Sequence, residues 1–455
     1  MRPLEILTLI LLLATLAAVW LGHRQRRIAW LPWPVAIVAV GHLLVEGYRW
    51  QMAPAYLLVA LLLVWSLWRL RGDNRRLTAP MLILGLLLLL AAAFLSLAIP
   101  VAVLPAATGP YQVGTVSYAL RDEARPDPYS PEPGAVRETV VQLWYPAVPD
   151  ADDEEAPFIE KLEVAGPALA RRLGLPIPGF LLSHINLVET DVYLEAEPAG
   201  GGPFPLLVFS HGLRGIRVQN TVLMRELASH GYVVAAIDHT YGNALTIFPD
   251  GRIAFFDQDR AFPPGQSTVA SGARLVDTWA DDVRFFLQEA GRWNEGDHFL
   301  AGLIAPERVG TFGHSTGGAA AIEACASLSV CGAVVVLDGW IQPVDDAIVS
   351  AGLQAPVLFL SAPDWLGEDN RGRGASLYAN SGETARLITI PGTTHFDFTD
   401  IPHLSPLAAH IGLSGEADTG EVTAIINDTT CAFFDWHLKG EHAAWDSLDY
   451  EVVTD

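Results

Sequence analysis

Before residue 105 the chain carries four long apolar runs, and no other feature narrows its possible folds so far. They cover roughly Ile6–Leu21, Ala29–Tyr48, Met52–Trp68 and Ala79–Leu104. A helix needs about 20 apolar residues to cross ~30 Å of hydrocarbon. The first and third runs are near the short limit. The second contains Pro32, Pro34 and His42, and the fourth is rich in Leu and Ala. The first run has the length of a signal peptide. Its flank pairs one arginine with one glutamate and more apolar runs follow at once, so a retained anchor is expected. Residues 1–104 therefore read as a helical transmembrane region, and 105–455 as a separate domain.

The arginines test the number of spans. Arg24, Arg26 and Arg27 lie between runs one and two; Arg69, Arg71, Arg75 and Arg76 lie between runs three and four. Four crossings put both clusters on one side of the membrane, and three put them on opposite sides. Positively charged loops stay cytoplasmic. Four spans then carry the rest of the chain to the extracytoplasmic side. In the alternative, runs two and three form a buried hairpin that never crosses. His42 and Glu46 sit one helical turn apart near the end of run two, where snorkelling to the interface is expected. No transport motif accompanies them, and anchoring is the role read for this region.

Charge divides the chain at the same point. Residues 1–104 hold nine basic and three acidic side chains, a balance of +6, while the remainder carries −29. So acidic a domain repels phosphate backbones, which excludes a nucleic acid partner. The cysteines are Cys325, Cys331 and Cys431, too few and odd in number for a disulfide framework. The six-residue spacing of Cys325 and Cys331 leaves their pairing open. No C-x-x-C or His/Cys cluster suggests zinc, and no metal or cofactor is expected.

From about Pro110 short aliphatic runs alternate with helical stretches. VVQLWYPA, PLLVFSH, YVVAAIDH, RVGTFGHS, CGAVVVLD, APVLFLSA and ARLITIPG read as strands. QNTVLMRELASHG and ARLVDTWADDVRFFLQEA carry apolar residues at helical spacing. Continuous apolar strands mean a sheet buried on both faces. The alternation predicts an α/β fold with a mostly parallel sheet, whose site lies beyond the carboxyl ends of the strands.

Ser315 stands in FGHSTGGAAA, directly after a strand and directly before a helix. That is the setting of a nucleophile elbow, whose sharp turn demands small neighbours such as Gly313 and Gly317. A serine needs a base, and the base an orienting carboxylate. His395 follows the last strand in LITIPGTTHFDFTD and is the expected base, with His403 as the more distant alternative. Two aspartates suit the acid from pattern alone: Asp338 at the end of AVVVLD, and Asp364 in FLSAPDW. Two backbone N–H groups must hold the oxyanion. Thr316 follows the serine, and Leu213 lies in the tight loop FSHGLRG.

The series FSHGLRG, LASHGYVVAAIDH, GHSTGG, CGAVVVLDGW and HFDFTD resembles the platelet-activating factor acetylhydrolases of the plasma and intracellular second type. The resemblance runs from GPYQVG (109–114) to Asp400 and implies the α/β-hydrolase fold. Its L-D-x-W motif implies Asp338 as the acid, and it supports His395, Leu213 and Thr316. Thr316 departs from the bulky aromatic residue usual there, which implies a wider acyl pocket. The family hydrolyses short or oxidised acyl esters of glycerophospholipids without calcium. A membrane-anchored, multi-pass serine ester hydrolase is therefore expected, its partners a lipid or small ester and the membrane. A broad carboxylesterase or polyester-type hydrolase is the alternative, or a degenerate hydrolase domain without activity. The apolar segment LGLPIPGFLLSHINL (173–187) reads either as a lid or lipid-facing surface, or as a helix packed on the core.

Overall fold

The computed structural model describes residues 1–455 except 23–24, 73–76, 173–177, 297 and 449–455, and the side chains of 168–172. Arg24, Arg75, Arg76 and the start of the 173–187 segment lie outside the described residues. The chain forms two compact units. One comprises Met1–Val103 with Ile177–Val188 and His403–Leu407; the other comprises Leu104–Pro176, Glu189–Pro402 and Ala408–Asp455.

The first unit is a bundle of α1 (Pro3–Leu21), α2 (Pro32–Val45), α3 (Ala53–Leu70) and α4 (Ala79–Ala98). Each helix has proline in its first turn, where a missing N–H costs nothing. Leu12, Leu16, Ala39, Leu58, Leu62 and Leu89 fill the interior. Ile10, Leu44, Leu57, Leu87 and Phe94 are exposed on the outside. Helices apolar on every side suit a hydrocarbon solvent. All four spans, of 19 to 21 residues, are long and apolar enough to cross a membrane. Arg26 Nη2 donates to Leu70 O at 3.0 Å, so the α1–α2 loop and the end of α3 lie at one end of the bundle.

The other end holds a buried ionic cluster, not a snorkelling pair. Glu5, His42 and Arg49 are each 0% exposed. Arg49 Nη1 lies 2.8 Å from Glu5 Oε1, and Tyr56 Oη is 2.9 Å from His42 Nδ1. Glu46 Oε1 accepts the Leu4 N–H at 2.8 Å, satisfying an orphan donor at the start of α1. The end of α2 meets the start of α1, so its polar groups find partners without reaching for water. Gly179–Leu187 is a 3₁₀ helix of this same unit, where Trp50 Nε1 donates to Leu181 O at 2.9 Å.

The second unit is built on strands β1 (Gln112–Pro126), β2 (Val136–Ala147), β3 (Val192–Leu194), β4 (Phe204–Ser210) and β5 (Val233–Asp238). A small hairpin follows, β6 (Leu245–Ile247) and β7 (Ile253–Phe255). Then come β8 (Ile304–His314), β9 (Cys331–Leu337), β10 (Val357–Ser361) and β11 (Ala385–Thr389). The main sheet has the order β11-β10-β9-β8-β4-β5-β2-β1-β3. From β11 to β5 all neighbours are parallel; β2 runs antiparallel to both β5 and β1. Leu207, Phe209, Phe312, Val335 and Leu358 pack on one face, whereas Leu206, Val208, Val334 and Phe359 pack on the other. Burial on both faces explains the continuous apolar runs. The 28-residue helix Thr268–Glu295 covers one face, with Leu275, Val276, Trp279, Val283 and Phe286 inward. Cys325, in the helix after β8, is disulfide-bonded to Cys331 at the start of β9.

Candidate active site

Register brings the loops after β4 and β8 together, because Ser210 pairs with Gly313 at the strand ends. Ser315 follows β8 as N-cap of the helix Thr316–Ser327, at φ 57° and ψ −121°. A side chain rarely adopts that region, and its neighbours hold it there. Ser315 N–H donates to Leu337 O, while Ser315 O accepts from Gly318 and Trp340 N–H, each at 3.0 Å. The glycines are required by contact. A Cβ at Gly313 would lie 2.3 Å from Gly317 O, and one at Gly317 2.0 Å from Ser210 O.

Asp338 directly follows β9, at φ 44°. Its Oδ1 accepts the Ala362 N–H at 2.9 Å, and its Oδ2 lies 2.7 Å from His395 Nδ1. That bond fixes the tautomer, with the proton on Nδ1 and Nε2 free to accept. Asp364 is carried elsewhere: its side chain is 87% exposed and pairs with Arg371. His403 belongs to the other unit. His395 opens a short 3₁₀ turn tied by Asp397 Oδ2, which accepts the N–H groups of Thr394 and Gly415. Burial pushes the His395 ring down to about 3, which keeps the imidazole neutral and able to accept a proton. Burial likewise pushes the Asp338 carboxyl up, with the Ala362 N–H opposing it.

Gly212 lies against the elbow; a Cβ there would come within 3.4 Å of Ser315 Cβ. Among the described residues, neither the Leu213 nor the Thr316 N–H has an acceptor. Both expected oxyanion donors are thus unspent.

Three neighbours escaped the sequence reading. Trp365 lies flat on the His395 ring, centroids 3.2 Å apart and planes within 5°. His314 Nε2 donates to His395 O at 3.0 Å, and its Nδ1 is 3.0 Å from Gln219 Nε2. Gln219 Oε1 in turn accepts the Gly212 N–H at 3.3 Å. His314 and Gln219 so join the loops after β4, β8 and β11. Only Trp365 had a signal, an aromatic beside a candidate acid. A recess of ≈ 750 Å³, counting its open mouth, adjoins Asp338 and is lined by Ile341, Trp365, Tyr378 and Thr389.

Among the described residues the fold assembles two sets of metal-ligand type, Glu226/His230/Cys431 and Glu5/His42/Glu46. Neither follows a motif spacing. In the first, Thr108 N–H and His230 Nε2 already contact the Glu226 carboxylate; in the second, Arg2 and Arg49 contact Glu5.

Comparison with known proteins agrees with this architecture. Residues 98–250 and 297–453 match the family described as platelet-activating factor acetylhydrolase, isoform II. The platelet-activating factor acetylhydrolase of Gallus gallus is 26% identical over 76% of this chain and 86% of its own. That of Canis lupus familiaris is 27% identical over 68% and 74%. Among solved structures, a ferulic acid esterase from Streptomyces cinnamoneus is 28% identical with a TM-score of 0.62, covering 77% of this chain and 97% of that one. The chain belongs to the platelet-activating factor acetylhydrolase, isoform II, family of ester hydrolases, with the α/β-hydrolase fold behind four apolar helices.

Proposed function

We propose that the protein is a membrane-anchored serine esterase acting on phospholipid-like substrates with short or oxidised acyl chains. The observation that carries this reading is the 2.7 Å contact of His395 with Asp338, beside an elbow that holds Ser315 at φ 57°. Ser315 Oγ attacks the ester carbonyl while His395 Nε2 takes its proton. Asp338 keeps the Nδ1–H tautomer and stabilises the imidazolium. The N–H groups of Leu213 and Thr316 receive the oxyanion, a term worth ~3 kcal/mol per donor in the transition state. His395 then protonates the leaving alcohol, the acyl-enzyme remains, and water releases the acid by the same route.

The four helices are the anchor. Arginine-bearing loops at one end of the bundle favour a cytoplasmic position for that end. The chain then leaves α4 on the extracytoplasmic side, where a Cys325–Cys331 disulfide persists.

A broader carboxylesterase is the second reading, favoured by the small Thr316 beside the nucleophile and by the likeness to a ferulic acid esterase. Hydrolysis of phosphatidylcholines carrying two- to sixteen-carbon acyl groups at the middle position separates the two. A steep fall with length supports the first reading, and a flat profile the second. Full activity in Ser315→Ala would sink both.

A further inference from the structure

Beneath the loop after β4 lies a serine–histidine–aspartate contact apart from Ser315, His395 and Asp338. Ser210 Oγ is 3.0 Å from His239 Nε2, and His239 Nδ1 is 2.9 Å from Asp282 Oδ2. Ser210, His239 and Asp282 are 1%, 0% and 1% exposed, so no substrate reaches them. Arg137 clamps the carboxylate, Nε to Oδ1 at 3.0 Å and Nη2 to Oδ2 at 2.7 Å. The ion pair spends the charge that a catalytic acid would lend to its histidine. This group therefore serves structure, and its geometry shows what it holds.

His239 N–H donates to His211 Nε2 at 3.2 Å. An accepting Nε2 requires the proton on Nδ1 in a neutral ring. His211 Nδ1 accordingly donates to Gly212 O, 2.7 Å away. The same oxygen accepts the Gly215 N–H at 2.8 Å. Gly212 C=O and Leu213 N–H belong to one planar trans peptide, so the direction of one fixes the other. Two donors aimed at the oxygen hold Leu213 N–H pointing the opposite way. Trp279 packs on both rings, stacked on His239 at 4.5 Å and edge-on to His211 at 4.9 Å. Burial also pushes His211 down to about 3, so the ring keeps this neutral form through the physiological range.

We infer that His211 is a positioning residue for the oxyanion site, its Nδ1–H orienting the Gly212–Leu213 peptide, and that the backbone N–H of His239, whose side chain Asp282 anchors, holds it in the required tautomer. The inference rests on Leu213 as an oxyanion donor in the reaction proposed above.

The test uses the full chain in detergent, with p-nitrophenyl acetate as substrate and a fluorophosphonate to label Ser315. His211→Phe keeps a ring but removes the Nδ1–H. His211→Asn places an amide nitrogen close to the Nδ1 position. We expect kcat to fall on the order of 10²-fold in His211→Phe with KM changed less than about threefold, and to recover most of that loss in His211→Asn. Unchanged kcat in His211→Phe, or equal losses in both variants, overturns the inference. ¹⁵N-histidine spectra of the wild type need no variant to fold: a proton on His211 Nδ1 is expected, and one on Nε2 overturns it. A wild type that hydrolyses the ester yet is unlabelled at Ser315 defeats the reading of the site itself, and this inference with it. Labelled wild type with an indifferent His211→Phe defeats the inference alone.

Discussion

Trp365 covers one face of the His395 ring, with 3.2 Å between centroids and 5° between planes. It keeps water off that face and contributes to the burial that lowers the ring's pKa to about 3. Trp365→Ala admits water, which favours the charged ring and raises its pKa toward the ordinary value near 6.5. As the proposed base, His395 must be neutral to act. The acid limb of the kcat/KM profile should therefore move to higher pH, by about one unit. A lowered rate with an unmoved limb would show that Trp365 acts on something other than this base.

The two candidate aspartates differ enough for a plain comparison. Asp338 touches His395, whereas Asp364 sits on the surface with Arg371. Asp338→Asn should lower kcat on the order of 10⁴-fold by releasing the wrong tautomer. Asp364→Asn should stay within about twofold of wild type. Steady-state kinetics of both variants decides, and a large loss in Asp364→Asn would contradict the assignment.

Much of this was legible beforehand, and the exceptions have physical causes. Seven strands announced themselves because β2, β4, β5, β8, β9, β10 and β11 pack apolar side chains against the rest of the unit. β1 did not: its second half reads RDEARP and faces solvent, and that half is held as strand by its pairing with β2. The Ser315 elbow was visible since strand, glycine spacing and helix are all local. Asp338 and Asp364 could not be separated by pattern, because both follow strands; direction of the side chain decides, and that depends on the positive φ at Asp338. His211, His239 and Asp282 come from three distant segments, so no spacing revealed their contact. The partners of His42, at residues 2, 5 and 56, were hidden for the same reason.

Close approach at the elbow carries its own expectation. A methyl group at Gly317 meets Ser210 O and His211 O at 2.0 and 2.4 Å, both rigid backbone. Gly317→Ala should cost roughly 2 kcal/mol or more of stability and displace the loop after β4. Thermal unfolding and the fluorophosphonate labelling rate should both fall. A variant with normal melting and labelling would mean that helix and strand are less tightly opposed than here.

Acid should weaken the fold through His211. Its folded pKa of about 3 lies below the unfolded value near 6.5, with burial as the main cause and His239 adding to it. Below pH 6.5 the unfolded chain takes up a proton that the folded chain refuses. Stability is thus lost as pH falls from 6.5 toward 3, by up to ~1.4 kcal/mol per pH unit for this histidine. Asp400, which burial pushes up to about 8, works in the opposite sense, so the informative quantity is a difference. Between pH 6.5 and 4 the Tm of wild type should fall more steeply than that of His211→Asn. Parallel curves would remove His211 from the account.

In the helical unit, Arg49→Ala removes one of the two arginines that contact Glu5, which is 0% exposed and keeps the Arg2 side chain and N–H as donors. Breaking a buried pair from one side typically costs ~3–5 kcal/mol, and the remaining Arg2 contact lowers the loss expected here. A clear drop in the melting temperature of the detergent-solubilised protein is expected, with partial recovery in Glu5→Gln/Arg49→Ala.

The Cys325–Cys331 bond spans the connection between the segment that bears Ser315 and the strand that leads to Asp338. The intervening Ala326, Ser327, Ser329 and Val330 are exposed, as a protease would need. A nick there would leave Ser315 and Asp338 covalently joined. The cut chain would run as one band without reductant and as two fragments with it, and the disulfide would act as a tether that keeps a cleaved enzyme whole.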